Sequence, residues 1–204
     1  MKNRLLTISL SMLLALPIAT VQAQWRDPQS TQIAILNAST ELKKHYAHIF
    51  MNAFKNLCLS SVGNYPQLLT QLQNAQPLSP NLADLFLNGA QGKAWALENS
   101  KENGIHFLAI MNNHYHCATY TMVADPAEMQ RLFEEITTAA PPESEFTLLK
   151  DEEIEQPDGN IMHRKSYALT NKNTTAVIQF TIITNSISQK DNPQGIVFIL
   201  IDQI

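Results

Sequence analysis

Between residues 37 and 59, apolar side chains recur at three- and four-residue steps: Leu42, Tyr46, Ile49, Phe50, Ala53, Phe54, Leu57 and Cys58. That spacing draws one stripe along a helix, with Lys43, Lys44, His48 and Asn52 largely off it. Asn37 or Ser39 supplies the cap. Two shorter helices follow. One begins at Asn64-Tyr65-Pro66 and presents Leu68, Leu69 and Leu72. The other begins at Ser79-Pro80, presents Leu82, Leu85 and Phe86, and stops at Asn88-Gly89. From Gly92 onward the texture changes to strands, some alternating and some apolar throughout. Strands are expected over 92–97, 105–110, 114–124, 146–154, 161–169, 176–187 and 196–201, with a hairpin turn at Asp158-Gly159-Asn160. One more helix interrupts them. It opens on Asp125-Pro126 with Glu128 at its third position, carries Met129, Leu132, Phe133 and Ile136, and ends before Pro141-Pro142.

The strand at 196–201 is apolar at every position. Such a strand belongs in the middle of a sheet covered on both sides; a bare face there marks a subunit or partner surface instead. The pattern as a whole predicts an α+β domain: N-terminal helices and one later helix packed on an antiparallel sheet of about five to seven strands.

The first 23 residues read differently. Lys2 and Arg4 precede a run, 5–18, that is apolar except for Thr7, Ser9 and Ser11, and Val21-Gln22-Ala23 follows with small residues at two cleavage-site positions. This is the layout of a secretory signal. The run is too short and broken for stable membrane insertion. The expected organisation is therefore a signal peptide at 1–23, a loose polar segment at 24–36 and a single α+β domain at 37–204. The expected location is the periplasm of a Gram-negative bacterium or the medium outside it.

Removing Lys2 and Arg4 lowers the basic count from 14 to 12 against 18 acids, taking the net charge from −4 to −6. An acidic surface repels phosphate backbones, which argues against nucleic acid as a partner and is compatible with a basic protein partner, although most acidic proteins have none. Nothing in the pattern sets an oligomeric state or asks for a cofactor. Export also gives the two cysteines a meaning. Cys58 and Cys117 allow a single intramolecular pairing in an oxidising compartment. The 59-residue separation corresponds to about 4 kcal/mol in the chain-entropy picture. If the bond forms, the first helix packs on the strand face carrying Tyr115, Cys117 and Thr119. His114, His116, Ala118 and Tyr120 then point away from it.

His114-Tyr115-His116 is the leading site candidate, because two imidazoles at i, i+2 on a strand face the same way and can share a zinc or copper ion. His106 is the candidate third ligand. A four-residue loop pairing Ile110 with Tyr115 puts it on the wrong face, whereas a shift by one puts it on the right one. Two surface histidines beside a turn are the plainer alternative. Asp151-Glu152-Glu153-Ile154-Glu155 concentrates acids that could draw a basic partner or calcium, but it lacks the spacing and central glycine of a calcium loop and equally suits a solvated sheet edge. Trp95 suits either ligand stacking or core packing, with packing the commoner use. No catalytic motif is present in the sequence, so no catalytic residues are assigned.

Phe54-x-x-x-Cys58, Gly92-Lys93-Ala94-Trp95, Cys117 and the Asp125-Pro126 helix start resemble, over roughly residues 45–137, a family of small exported proteobacterial proteins without an assigned activity. The resemblance implies a periplasmic location and the cysteine pair. Three functions remain in view. The first is an exported non-catalytic binding protein, inhibitor-like or immunity-like. The second is a secreted extracellular factor. The third is a metal protein or enzyme built on His114 and His116.

Overall fold

The computed structural model describes residues 38–97, 106–112, 115–173, 175–187 and 193–202. The expected signal peptide and the segment 24–36 lie outside these residues. Among the described residues the architecture is α+β, with a seven-stranded antiparallel sheet and four α-helices. Among the described residues no helix is long and apolar enough to cross a membrane.

Helix α1 spans Thr40–Ala53, and Ser39 caps it by accepting a hydrogen bond from the Leu42 amide at 3.2 Å. The stripe of three- and four-residue steps continues, but the backbone does not stay α-helical. Phe54–Cys58 forms a π turn and Leu59–Ser61 a 3-10 turn. The Ser60 and Ser61 hydroxyls donate back to the carbonyls of Asn56 and Leu57, which competes with the helical ladder where the helix ends. The spacing of Phe54 and Cys58 suits a four-residue or a wider turn equally, so periodicity alone did not separate them. Helix α2 spans Tyr65–Leu72 and α3 Pro80–Leu87, the latter ending at Asn88 in the left-handed conformation.

The strands are β1 Gly92–Ala96, β2 His106–Met111, β3 Tyr115–Thr121, β4 Ser144–Glu155, β5 Ile161–Asn171, β6 Val177–Asn185 and β7 Gly195–Asp202. Helix α4, Pro126–Thr138, lies between β3 and β4 in sequence. The sheet order is β1-β2-β3-β7-β6-β5-β4. The all-apolar C-terminal strand β7 therefore occupies the centre, as its composition requires.

The Cys58–Cys117 disulfide is formed, with a Cα–Cα distance of 5.4 Å. It pins the π turn to β3 and defines a disulfide face of the sheet. On that face Phe50, Met51 and Phe54 from α1 and the π turn, and Met129 and Phe133 from α4, pack with Trp95, Leu108, Phe180, Ile182, Val197 and Ile199. Helix α3 takes the opposite face. Phe86 and Leu87 pack there on Ala94, Phe107, Ala109, Ala118 and Tyr120, and the Tyr120 hydroxyl donates to the Phe86 carbonyl at 2.6 Å. The helices are thus divided between the two faces. The N-cap of α4 is half of the expected capping box. The Asp125 carboxylate accepts from the Glu128 amide at 2.8 Å. The Asp125 amide instead donates to the Lys43 carbonyl at 3.1 Å, and the Glu128 carboxylate pairs with Arg131 and His48. A residue that reads as a local cap ties α4 to α1.

Replacing Cys58 and Cys117 together by alanine lowers stability by about 2–5 kcal/mol. Urea unfolding measures the loss, and wild type in reductant shows the same one. Gly92 has a separate constraint, because a Cβ there would sit 2.2 Å from the Ile110 carbonyl oxygen. Gly92→Ala costs about 1–3 kcal/mol through forced movement of the β1–β2 pair, read as a lowered thermal midpoint.

Candidate functional site

The β2–β3 hairpin pairs Ile110 with Cys117 and Met111 with His116. This register is two residues from the four-residue-loop pairing and keeps its parity, so His106 lies opposite Thr121 on the disulfide face. His116 lies on the other face with its ring centroid 5.2 Å from that of Phe198. The structure does not bring His106 and His116 together, which corrects the expectation that His106 could complete a set with them. His114 lies outside the described residues. Among those residues no group of three or more histidine, cysteine or acidic side chains is placed to hold a metal.

His106 is 1% exposed and packs edge-on to Tyr46, centroids 5.9 Å apart. Burial, followed by the nearby His45, pushes its pKa down to about 4, so it is neutral in the native protein. Burial also lowers the pKa of His116. Both cysteines are consumed in the disulfide and offer no thiol. Trp95 is 4% exposed and belongs to the core of the disulfide face.

The acidic run falls on the edge strand β4 and is answered by β5. The antiparallel register sets Asp151, Glu152 and Glu153 against Lys165, Arg164 and His163. On the disulfide face Asp151 accepts from His163 at 2.5 Å and from Lys165 at 3.1 Å, and Lys165 also reaches Glu134 of α4 at 2.6 Å. The His163 hydrogen bond, then Lys165, holds the Asp151 carboxyl below its ordinary range. The run is therefore one rail of a cross-strand charge ladder. Its other rail, His163-Arg164-Lys165, was visible in the sequence but went unpaired without the hairpin register.

The two middle members of the ladder face the other way, onto the side opposite the disulfide. There the central and outer strands carry Ile183, Ile196, Phe198 and Leu200, all half-buried. Beside them lie Ser166 and Thr181, whose hydroxyls are 2.9 Å apart. Helices α1 and α4 pack on the disulfide face and α3 on β1 and β2. Among the described residues no helix lies over the β5–β7 part of the opposite face, although Ser166, Ala168 and Thr181 on it are buried. No family model, curated protein or solved structure matches the chain.

A second surface feature is a groove of about 230 Å³ between α1 and α4, floored by Met51, Leu132 and Ile136 and rimmed by His48, Lys55 and Glu135. It lies beside the His48–Glu128 pair, whose atoms are 2.9 Å apart.

The depressed pKa of His106 makes a testable contribution to stability. The unfolded chain binds a proton at this position below about 6.5, whereas the native protein does so only near 4. Stability is therefore full above pH 6.5 and falls as pH drops toward 4. Between pH 7.5 and 4.5 urea unfolding should show about 2–3 kcal/mol less loss in His106→Leu than in wild type.

Proposed function

We propose that the chain is an exported, non-catalytic binding protein of the Gram-negative periplasm that occupies a protein partner as an inhibitor or immunity protein does. The observation that carries this reading is the half-buried apolar band of Ile183, Ile196, Phe198 and Leu200 on the opposite sheet face, over which no helix lies among the described residues. An apolar central strand needs cover on both sides, and among the described residues β7 has a helix layer on one side only where it borders β6. Surfaces of this kind, apolar with a polar border, suit protein association. The disulfide fits an oxidising compartment, and the leader-like residues 1–23 fit export. The acidic net charge favours a protein over nucleic acid.

Photo-crosslinking in intact cells tests the reading. A photoreactive residue at Gln179, on the side of the sheet opposite the disulfide, should give one adduct of discrete mass in the periplasmic fraction, and the adduct should be lost when Phe198→Asp is added. A parallel series of positions on the helix-covered side completes the test. Absence of any discrete adduct from either side overturns the binding reading. Recovery of the protein in the medium alone overturns the periplasmic assignment.

A further inference from the structure

The two halves of α1 are held to the molecule in different ways. The second half is anchored by Phe50, Met51 and Phe54, none more than 2% exposed, and by the Cys58–Cys117 bond that follows them. The first half buries only Ala47 fully and leaves Leu42 38% exposed. Its ties to α4 are polar. The Lys43 carbonyl accepts from the Asp125 amide at 3.1 Å, and His48 at its end meets Glu128 at 2.9 Å. A helix end with few buried apolar groups opens locally at a free energy well below that of global unfolding.

Beneath this first half lies His106, buried and edge-on to Tyr46. A proton taken up there puts an imidazolium in the core under a run of basic residues, Lys43-Lys44-His45. Such a charge is costly unless it is paired or returned to water. The titratable groups beside it on α1 are His45 and Tyr46. On β3 its register partner is Thr121, whose hydroxyl donates to the Val123 carbonyl, and beyond Thr121 on β7 lies Gly195. Toward β1 its carbonyl accepts from the Leu97 amide at 3.1 Å. On α4 the acids of the first turn are engaged elsewhere, Asp125 by the Glu128 amide and Glu128 by His48 and Arg131.

We propose that the first two turns of α1, Thr40–Ala47, form a proton-gated flap: protonation of His106 releases them from the sheet, while Phe50–Cys58 stays in place. Opening uncovers the strip of sheet at His106 and Thr121, and the disulfide limits how far it spreads. In the open form His106 meets water and has its ordinary pKa of about 6.5, whereas burial keeps it at about 4 in the closed form. The ratio of open to closed molecules is therefore flat above pH 6.5 and rises as pH falls. Relative to pH 8 the rise is about 30-fold at pH 5 and about 150-fold at pH 4.

Hydrogen exchange of the full chain after export, followed by nuclear magnetic resonance and corrected for the intrinsic effect of pH, tests the flap. The amides of Lys44–Ala47 should lose about 30-fold in protection between pH 8 and pH 5. Their exchange should be insensitive to low concentrations of urea, whereas that of Cys117–Thr119 on β3 should rise with urea, as exchange through global unfolding does. His106→Leu should cut the pH-dependent loss to less than about threefold, and His106→Gln should do the same while keeping the position polar. His48→Gln should leave the loss in place. Thermal melts confirm that each variant is folded. Protection unchanged down to pH 5 would overturn the proposal. So would urea-dependent exchange at Lys44–Ala47, which would make global unfolding the route. A loss that persists in both His106 variants, or one that His48→Gln abolishes, would place the gate elsewhere and overturn it equally.

Discussion

Joining Cys58 to Cys117 sets the π turn after α1 against β3, and the side taken by every other strand residue follows from that contact. Alternation along β3 makes the Cys117 side the one covered by α1. Antiparallel register then carries the choice outward to β7, β6, β5 and β4. Phe180, Ile182, Val197 and Ile199 must face inward beneath the helices, and Thr181, Ile183, Ile196 and Phe198 must face away. The same covalent tie therefore determines which strand residues lie beneath α1 and α4 and which lie on the other side of the sheet.

Most of the fold could be read from periodicity because its elements are long and their local signals agree. Seven strand-like runs, some alternating and some apolar throughout, became seven strands, and the Asp125-Pro126 start became α4. The all-apolar 196–201 run became the central strand for the reason its composition suggests. Two features were out of reach. The π turn at Phe54–Cys58 leaves no trace in a pattern of three- and four-residue steps. The pairing register of the β2–β3 hairpin depends on turn geometry rather than on the identity of the residues, and it put His106 beneath α1 beside Tyr46. Candidate-site reasoning therefore gathered histidines that the sheet separates. It passed over Arg164, which is unremarkable in a list of residues and distinctive only once its neighbours are seen to be paired.

The charge ladder between β4 and β5 shows how parity divides labour along one hairpin. Its flanking members on the disulfide face bind β4 and β5 to α4 through Lys165 and Glu134. Its central members on the other face split, with Glu152 turned to Lys150 and Arg164 left over. Two consecutive basic residues thus have different physical settings. One is held between carboxylates; the other sits at the edge of an apolar band with one nitrogen withdrawn from water.

The two margins of the sheet have a further consequence. At β1 the strand is only five residues long, and the Leu78 amide already occupies the Ala94 carbonyl on its outer side. At β4 the margin is twelve residues long, but its register is broken between Leu148 and Lys150. Growth of a fibril by strand addition needs two receptive margins, so that each arriving molecule presents a fresh one. One margin is obstructed and the other kinked, and both features disfavour the addition of a further strand.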